Sequence, residues 1–356
     1  MTPSRSGEAV SAAPAAAGAN PARPPRWRNP EKSLPLVRAG VQGAYTGFLL
    51  LVGYEFATWV SQLLAGAPRT ATRPPAVEAF LPISALLGLK RFVLTGQWDD
   101  IHPAGLTLLV AALVSALLAR RAFCSWVCPV GGVSRALEWV GERLLWRRRW
   151  PRVPRWLDLP LSGLKYVLLA FFVSAVVAMP LQGVESFMRA PFNAASDARM
   201  LMFFKHPSSL TLGVLAGLVG LSLVVKHAWC RWLCPYGALL GLASLPSPLH
   251  VRRDPAVCND CGACNRACPV EIPVARRLRV LSPECTGCLS CVAACPVKDA
   301  LGVTRPGPRA LPGWVVPVTV LAVMLGSYAV ARATGHWETA LPEPYLRRVY
   351  VMMGVR

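Results

Sequence analysis

The segment Cys258-Asn-Asp-Cys261-Gly-Ala-Cys264-Asn-Arg-Ala-Cys268-Pro269 is followed by a second of the same pattern, Cys285-Thr-Gly-Cys288-Leu-Ser-Cys291-Val-Ala-Ala-Cys295-Pro296. Each of these dense runs reads Cys-x2-Cys-x2-Cys-x3-Cys-Pro, the bacterial pattern for a [4Fe-4S] cluster whose fourth ligand comes from the other run. The pattern therefore assigns one cluster to Cys258, Cys261, Cys264 and Cys295, and the other to Cys285, Cys288, Cys291 and Cys268. A pair of structural zinc sites is the alternative, although such sites need only two Cys-x2-Cys units.

The other four of the 12 cysteines form two sparse runs, Cys124-x3-Cys128-Pro129 and Cys230-x3-Cys234-Pro235. Residues four apart lie on one face of a helix, and the proline ends that helix just past the second thiol. If the two helix ends meet, the four thiols form one site that holds copper, iron or zinc, or that alternates between dithiol and disulfide. Plain packing of buried cysteines against the ferredoxin-type segment is the alternative.

The composition is that of a membrane protein. The chain has 356 residues, of which 54% are hydrophobic, and a mean hydropathy of +0.41, which is too apolar for an ordinary soluble domain. The formal net charge of +20 comes from lysines and arginines grouped beside the apolar stretches, as in the positive-inside loops of membrane proteins. We therefore expect contact with a membrane and none with nucleic acid.

Five stretches are long and apolar enough to cross a bilayer: 39–65, 102–119, 159–179, 210–226 and 311–331. Most lysines and arginines lie in 1–38, 120–158 and 227–312. This bias places the N-terminus and all four cysteine runs in the cytoplasm and the C-terminus in the periplasm. We expect a multi-pass protein of the bacterial inner (cell) membrane, with cytoplasmic thiols that stay reduced.

Three blocks of sequence recur in the same order along the chain. Val77-Glu78-Ala79-Phe80 recurs as Val184-Glu185-Ser186-Phe187, His102-Pro103 as His206-Pro207, and Cys124-x-Trp126 as Cys230-x-Trp232. Such self-similarity indicates a duplicated unit. Because each unit holds two spans, both copies have the same orientation, as in parallel transporter repeats.

The predicted fold is mainly α, with about five transmembrane helices built on the duplicated two-helix unit and an inserted α+β module like a bacterial two-[4Fe-4S] ferredoxin. The predicted boundaries are a disordered cytoplasmic leader at 1–38, membrane repeat 1 at 39–135, a basic cytoplasmic linker at 136–158, membrane repeat 2 at 159–245, the ferredoxin-like domain at 246–310, and a fifth transmembrane helix with an outside tail at 311–356.

Carboxylate and imidazole groups near the outer rim form another candidate site. Its members are Glu55, Glu78, His102, Glu185 and His206. Such groups take protons from a quinol, and a carboxylate within a span, as at Glu55, is costly enough to suggest function. His-Pro is also an ordinary helix start. A rim site lies a membrane thickness from the dense runs, so a quinol site at the cytoplasmic ends, with Lys226 and His227, stays open.

The paired Cys-x-Trp-hydrophobic-Cys-Pro motifs, Val-Glu-x-Phe, His-Pro and Cys268-Pro-Val-Glu-Ile-Pro273, together with the two dense runs, resemble the NapH/NosR/CcoG group of membrane iron–sulfur proteins over residues 38–303. This resemblance implies two [4Fe-4S] clusters and electron transfer with the quinone pool, often in support of a periplasmic reductase. The chain differs from each named type, since its leader is short for NosR, its tail short for CcoG, and its span count one above that of NapH.

We therefore predict an electron carrier between quinol and a partner redox protein, as a quinol dehydrogenase subunit. One alternative is a copper reductase that assists assembly of a respiratory oxidase, and another is a redox sensor without turnover. The absence of Cys-x-x-Cys-His argues against c-type haem. No Gly-x-Gly-x-x-Gly motif follows a strand, so nothing indicates a dinucleotide site.

Overall fold

The computed structural model describes residues 29–68, 70–145, 153–305 and 310–355, which are mostly helical. A 3-10 turn, Pro30–Ser33, leads into the first helix, α1, Leu34–Ala65. Apolar residues fill α1 apart from Arg38, Glu55 and a few polar side chains. Gly66, with a φ of +67°, ends it in the left-handed conformation that glycine adopts without strain.

After α1, two successive stretches form helices in a similar order. The first contains a 3-10 turn, Pro75–Phe80, and helices α2, Pro82–Thr95, α3, Pro103–Ala119, α4, Ala122–Trp126, and α5, Pro129–Leu144. The second contains α6, Arg155–Ala178, α7, Leu181–Arg189, α8, Pro191–Ala194, α9, Ser196–Lys205, α10, Ser209–Val224, a π-helical turn, Trp229–Leu233, and α11, Pro235–Ala243. In both, an apolar helix follows His-Pro, a short helical turn carries the first sparse cysteine, and the second cysteine precedes the proline that starts the next helix. The prediction that both thiols lie on one helix that the proline ends is therefore wrong, because the backbone is extended at Cys128 and Cys234.

Three helices of the described residues are long and apolar enough to cross a membrane: the helical stretch Pro30–Ala65, the segment Trp156–Ala178 of α6, and Val315–Ala333, called α14 below. The pair α9 and α10 gives a fourth span if it is taken as one helix bent by 78°. Helix α3 is apolar but shorter, with 17 residues. All five predicted stretches thus contain an apolar helix.

Helix α3 lies at the centre of the helical part. Its alanines 104, 111, 112, 116 and 119 are fully buried, and it packs against α2, α11 and α14. Small side chains let neighbouring helices approach closely, which is typical of helix packing in membranes. The next residue, Arg120, donates to the carbonyls of Ser244 (2.9 Å) and Val280 (2.8 Å), so the end of this helix is tied to the cysteine-rich segment.

The cysteine-rich segment is a small α+β unit. Its elements are β1, His250–Arg253, α12, Ala263–Arg266, a 3-10 turn, Val274–Arg276, α13, Ser290–Ala293, β2, Leu301–Thr304, and β3, Ala310–Leu311, followed by α14. The three strands form one antiparallel sheet in the order β1-β2-β3, with His250 opposite Thr304. Helices α12 and α13 contact each other, and each lies inside one dense run.

Two predicted boundaries differ from the structure. Residues 29–38 of the predicted leader are ordered, because Asn29 Nδ2 donates to the carbonyls of Val292 (2.8 Å) and Cys295 (3.1 Å) and Glu31 accepts from the backbone of Gly313 at 2.7 Å. Residues 1–28 lie outside the described part. Helix α5 also continues into the predicted linker as far as Leu144, and residues 146–152 of that linker are again outside.

The predicted tail after α14 contains a last helix, α15, Glu343–Met352. It packs against α1: Leu346, Val349 and Tyr350 form one core cluster with Phe56 and Trp59. The Trp59 and Tyr350 rings meet edge to face, with centroids 6.2 Å apart. This contact closes the end of the helices opposite the cysteine runs, which we call the distal end.

Candidate iron–sulfur and thiol sites

The first dense run forms most of one thiol-lined cavity. Cys258, Cys261 and Cys264 line it together with Cys295 of the second run. Asp260 and Gly262 both have positive φ angles, which turn the chain sharply between successive cysteines. We call this space cavity A.

The second dense run forms a matching cavity B. Cys285, Cys288 and Cys291 line it together with Cys268 of the first run. In both cavities three thiols come from one run and the fourth from the other, which is the arrangement the spacing predicts. The identity of the ligands stays a prediction.

Donors surround the sulfurs of cavity B, as a cluster with anionic thiolates requires. The backbone N–H of Gly287 hydrogen-bonds the sulfur of Cys285. Burial opposes ionisation of Cys288, but the Arg38 guanidinium and donors on Ser290 and Thr286 outweigh it, so the pKa of Cys288 lies below its ordinary value. The donor set and the four thiols fit a [4Fe-4S] cluster.

Cavity B lies directly against the first sparse run. Gly287 packs under α3 and α4, where an added Cβ would come within 3.1 Å of the Ala119 carbonyl oxygen. Trp126 Nε1 donates to the Gly287 carbonyl at 3.1 Å, and Ser125 Oγ donates to the Thr286 carbonyl at 2.7 Å. The residues beside the sparse cysteines thus hold the loop that carries Cys285 and Cys288.

The sparse cysteines of the two repeats are near enough to one another to interact electrostatically. Charges on Cys124, Cys230 and Cys234 each influence the titration of Cys128, and burial raises the pKa of Cys230 to about 12. Within the described ranges, in the dense and the sparse runs alike, no group of three or more His, Cys, Asp or Glu side chains is arranged to hold a single metal ion. Metal binding by the sparse thiols stays a prediction.

Glycines at matching positions of the two repeats allow this packing. Gly131 lies so close to Cys124 that an added Cβ would stand 2.1 Å from its carbonyl oxygen. Gly237 N–H donates to the Cys234 sulfur at 3.3 Å, and the Gly131 N–H has the same role toward Cys128. Each proline-started helix therefore offers its first free N–H groups to a thiol.

A buried ion cluster joins the sparse thiols to cavity B. Glu284, next to Cys285, accepts from Arg121 Nη1 (3.3 Å), from Tyr166 OH (2.8 Å) and from Lys165 Nζ. The side chains of Lys165 and Arg121 are 0% and 1% exposed, and Arg121 also interacts with Cys124 and Cys230. An ionisable residue inside a span is itself a functional signal, so Lys165 could have been singled out from the sequence.

Two further ion clusters lie at the same end of the helices. Arg231 bridges Asp158 (2.6 Å) and Glu271 (3.0 Å), and so joins α6 to the segment after Cys268. Lys226 and His227 lie 2.9 and 3.1 Å from Glu138, and their interactions with its carboxylate outweigh burial and lower the pKa of Glu138 to about 2.

At the distal end Glu78 and His102 come together in a buried network. Glu78 Oε1 lies 3.5 Å from His102 Nδ1 and 2.9 Å from Arg73 Nη2. Arg73 also pairs with Asp197 at 2.8 Å, and Tyr350 donates to Asp197 at 3.0 Å. The sequence did not predict Arg73, Asp197 and Tyr350 as members of this network. No local pattern links the loop that carries Arg73 with α9 and α15.

The other predicted rim residues do not join this network. Glu55 is exposed on α1 and accepts from Thr72 Oγ1 at 3.3 Å. Glu185 is half-buried on α7 and His206 is exposed before α10. The repeated residues therefore differ in environment between the two copies, because Glu78 and His102 are buried in the network with Arg73 and Asp197, whereas Glu185 and His206 are not.

Comparison with known proteins agrees with these sites. A family model described as "4Fe-4S binding domain" matches residues 101–154 and 208–253, and one described as "4Fe-4S dicluster domain" matches 250–296. The first covers both sparse runs, and the second covers both dense runs.

One curated relative covers most of the chain, and two others cover about half of it. The protein named "Putative electron transport protein YccM" of Escherichia coli (strain K12) is 41% identical over 307 residues, which is 84% of this chain and 85% of that protein. The ferredoxin-type protein NapH of Haemophilus influenzae is 31% identical over 51% of this chain and 63% of its own length. The methylamine utilization ferredoxin-type protein MauN of Methylorubrum extorquens is 33% identical over 53% of this chain and 61% of its own length. No solved structure matches. The chain therefore belongs to the family of ferredoxin-type 4Fe-4S electron transport proteins that includes YccM, NapH and MauN.

Proposed function

We propose that this protein holds two [4Fe-4S] clusters and passes electrons singly between a quinol and a partner redox protein. The observation that carries the proposal is the pair of cavities, each lined by three thiols of one dense run and one of the other. We assign Cys258, Cys261, Cys264 and Cys295 to the cluster in cavity A. We assign Cys268, Cys285, Cys288 and Cys291 to the cluster in cavity B.

The two cavities are placed for electron exchange. Cys264 lies in α12 and Cys268 two residues past its end, and Cys291 and Cys295 are placed on α13 in the same way. Each run therefore contributes to both cavities across a short helical turn. When bound, the clusters would supply one-electron redox chemistry, and these short connections would keep them close to each other.

The four sparse thiols form the next site in this proposed path. Cys124 is joined through Ser125 to Thr286, beside Cys285, and Arg121 and Glu284 link the same two regions. We propose that Cys124, Cys128, Cys230 and Cys234 form a redox or metal centre between the membrane helices and cavity B. Their clustered sulfurs also support the second candidate function, reduction of copper, since thiolates favour copper(I).

The proposed setting is the bacterial inner membrane, with five spans that include a duplicated two-helix unit. The apolar helices found in all five predicted stretches support this number. The distribution of lysine and arginine supports a cytoplasmic N-terminus, cytoplasmic clusters and a periplasmic C-terminus. The partner on the far side would be a periplasmic reductase or an oxidase under assembly.

Anaerobic reduction of the purified full-length protein tests the function. Menadiol, a soluble quinol, should bleach the visible iron–sulfur absorbance, and dithionite added afterwards should bleach little more. If dithionite bleaches the absorbance and menadiol does not, the quinol function is wrong. Reduction of copper(II) by the prereduced protein, lost when Cys124 and Cys230 are replaced by serine, would instead favour the copper reductase.

A further inference from the structure

A separate polar pocket lies between the sparse thiols and cavity B. It is partly open to solvent. Arg38 and Gln42 of α1 line one side, Arg121 and Arg135 another, and Cys124, Cys230 and Cys288 border it. We call it the arginine pocket.

Four side chains of this pocket carry a buried polar atom without a hydrogen-bond partner among the described residues: Arg38 Nε, Gln42 Oε1, Arg121 Nε and Arg135 Nη1. Arg38, Gln42 and Arg121 are only 8%, 5% and 1% exposed. Each buried group left without a partner costs about 1–3 kcal/mol. Three unsatisfied N–H donors and one carbonyl acceptor around a single cavity therefore indicate a missing ligand.

The charges of the pocket define what that ligand must offer. Neither Arg38 nor Arg135 forms an ion pair within the described part of the chain, and Arg121 shares Glu284 with Lys165. Guanidinium groups favour oxygen atoms that carry negative charge. The donors call for at least two acceptor oxygens, and Gln42 Oε1 calls for one hydroxyl.

We propose that the arginine pocket binds the head group of a quinone, an inference that rests on the proposed function and locates its substrate. The carbonyl oxygens of the quinone accept from the arginine N–H groups, and a hydroxyl of the quinol donates to Gln42 Oε1. Thiols border the pocket on two sides, Cys288 of cavity B and Cys124 with Cys230 of the sparse site. This position favours a redox-active ring over a simple anion such as phosphate.

The electrons and protons of the quinol all have acceptors in or beside the arginine pocket. A quinol gives up two electrons and two protons and becomes a quinone. The two electrons would leave one at a time for the two clusters that the dense-run cysteines would hold, and those clusters, in their oxidised state, would be the oxidants. The first proton has an acceptor in His227, which also lines the pocket and whose Nε2 lies 3.1 Å from Glu138, and the second leaves through the solvent-open side.

The test compares Gln42→Leu with Gln62→Leu, a change at another glutamine of α1 near the distal end. Arg135→Met is a second pocket variant, in case one of them does not fold. The rate of cluster reduction by subsaturating menadiol should fall about 10-fold in Gln42→Leu, since about 1.4 kcal/mol of lost binding is a factor of ten. Reduction by dithionite, and both rates in Gln62→Leu, should match the unmodified protein.

Three outcomes would overturn the inference. If menadiol reduces the clusters of both pocket variants as fast as those of the unmodified protein, the quinone does not bind in the arginine pocket, but the proposed function stands. If inorganic phosphate binds the unmodified protein but not Gln42→Leu, and does not slow the reduction of the clusters by menadiol, the pocket is an anion site. If menadiol fails even with the unmodified protein although dithionite reduces it, the function and the site both fail.

Discussion

Replacement of Glu284 by glutamine will loosen the cysteine-rich segment from the membrane helices. Glu284 is the shared partner of two buried cations, Arg121 and Lys165, and it also accepts from Tyr166. Burial raises the pKa of Glu284, but Arg121 and Lys165 outweigh it, so the carboxyl lies below its ordinary pKa and is charged at neutral pH. Glutamine keeps the shape and removes the charge that both cations need.

The size of the effect follows from this burial. Removal of one partner from a buried ion pair costs about 3–5 kcal/mol, since it leaves an uncompensated charge. The Glu284 side chain is 23% exposed, so we take the lower end, about 3 kcal/mol. At about 2 °C per kcal/mol for a chain of this size, the Tm falls by about 6 °C.

The assay is thermal unfolding of the detergent-solubilised protein, followed by tryptophan fluorescence and by loss of iron–sulfur absorbance. Glu142→Gln is the matched control, because Glu142 is 49% exposed and its partner Lys226 also pairs with Glu138. An exposed pair contributes at most about 1 kcal/mol, so this control should shift the Tm little. If Glu284→Gln unfolds at the same temperature as the unmodified protein, the buried ion cluster does not hold the cysteine-rich segment to the membrane helices.

Three other changes have defined outcomes. Cys295→Ser should remove the EPR signal of the cavity A cluster and Cys268→Ser that of cavity B, and loss of the same signal in both variants would contradict the exchange of the fourth ligand. Burial lowers the pKa of His250, so this residue stabilises the fold above about pH 6.5, and the stabilisation declines as the pH falls from there toward the folded pKa. His250→Gln should therefore flatten the decline in Tm between pH 7.5 and 5.5, a range chosen to bracket about 6.5. An unchanged slope would refute the assignment. Gly131→Ala should lower the Tm, because its Cβ would overlap the Cys124 carbonyl oxygen. Gly213→Ala, which has open space around it, should leave the Tm unchanged or raise it. Equal Tm values for the two variants would show that the close approach of Gly131 to Cys124 is not needed.

The sequence predicted the parts of the site that local spacing encodes. The dense runs fix which thiols can surround a cluster, because three cysteines within seven residues have few ways to bind a cubane. The repeat predicts that the sparse thiols of its two copies come near each other, since matched segments end at one depth. The groupings in cavities A and B agree with that reasoning.

The parts that the sequence did not predict depend on contacts between distant segments. Asn29 and Arg38 reach the second dense run across about 250 residues of chain, with Arg38 Nη1 at 3.0 Å from the Cys288 carbonyl. Their stretch is rich in proline and charge and was assigned to the leader. Asp197 and Tyr350 likewise pair across 153 residues, and a single carboxylate in an amphipathic helix gives no local signal for such a partner.

The central claim is that two [4Fe-4S] clusters lie side by side in one chain. Low-temperature EPR of the anaerobically purified, dithionite-reduced protein tests it most directly, with spin counting and total iron measured on the same sample. The account predicts two reduced clusters per chain whose signals are broadened and split by mutual spin coupling. A single isolated signal with half the iron, or zinc in place of iron at the dense runs, would contradict it.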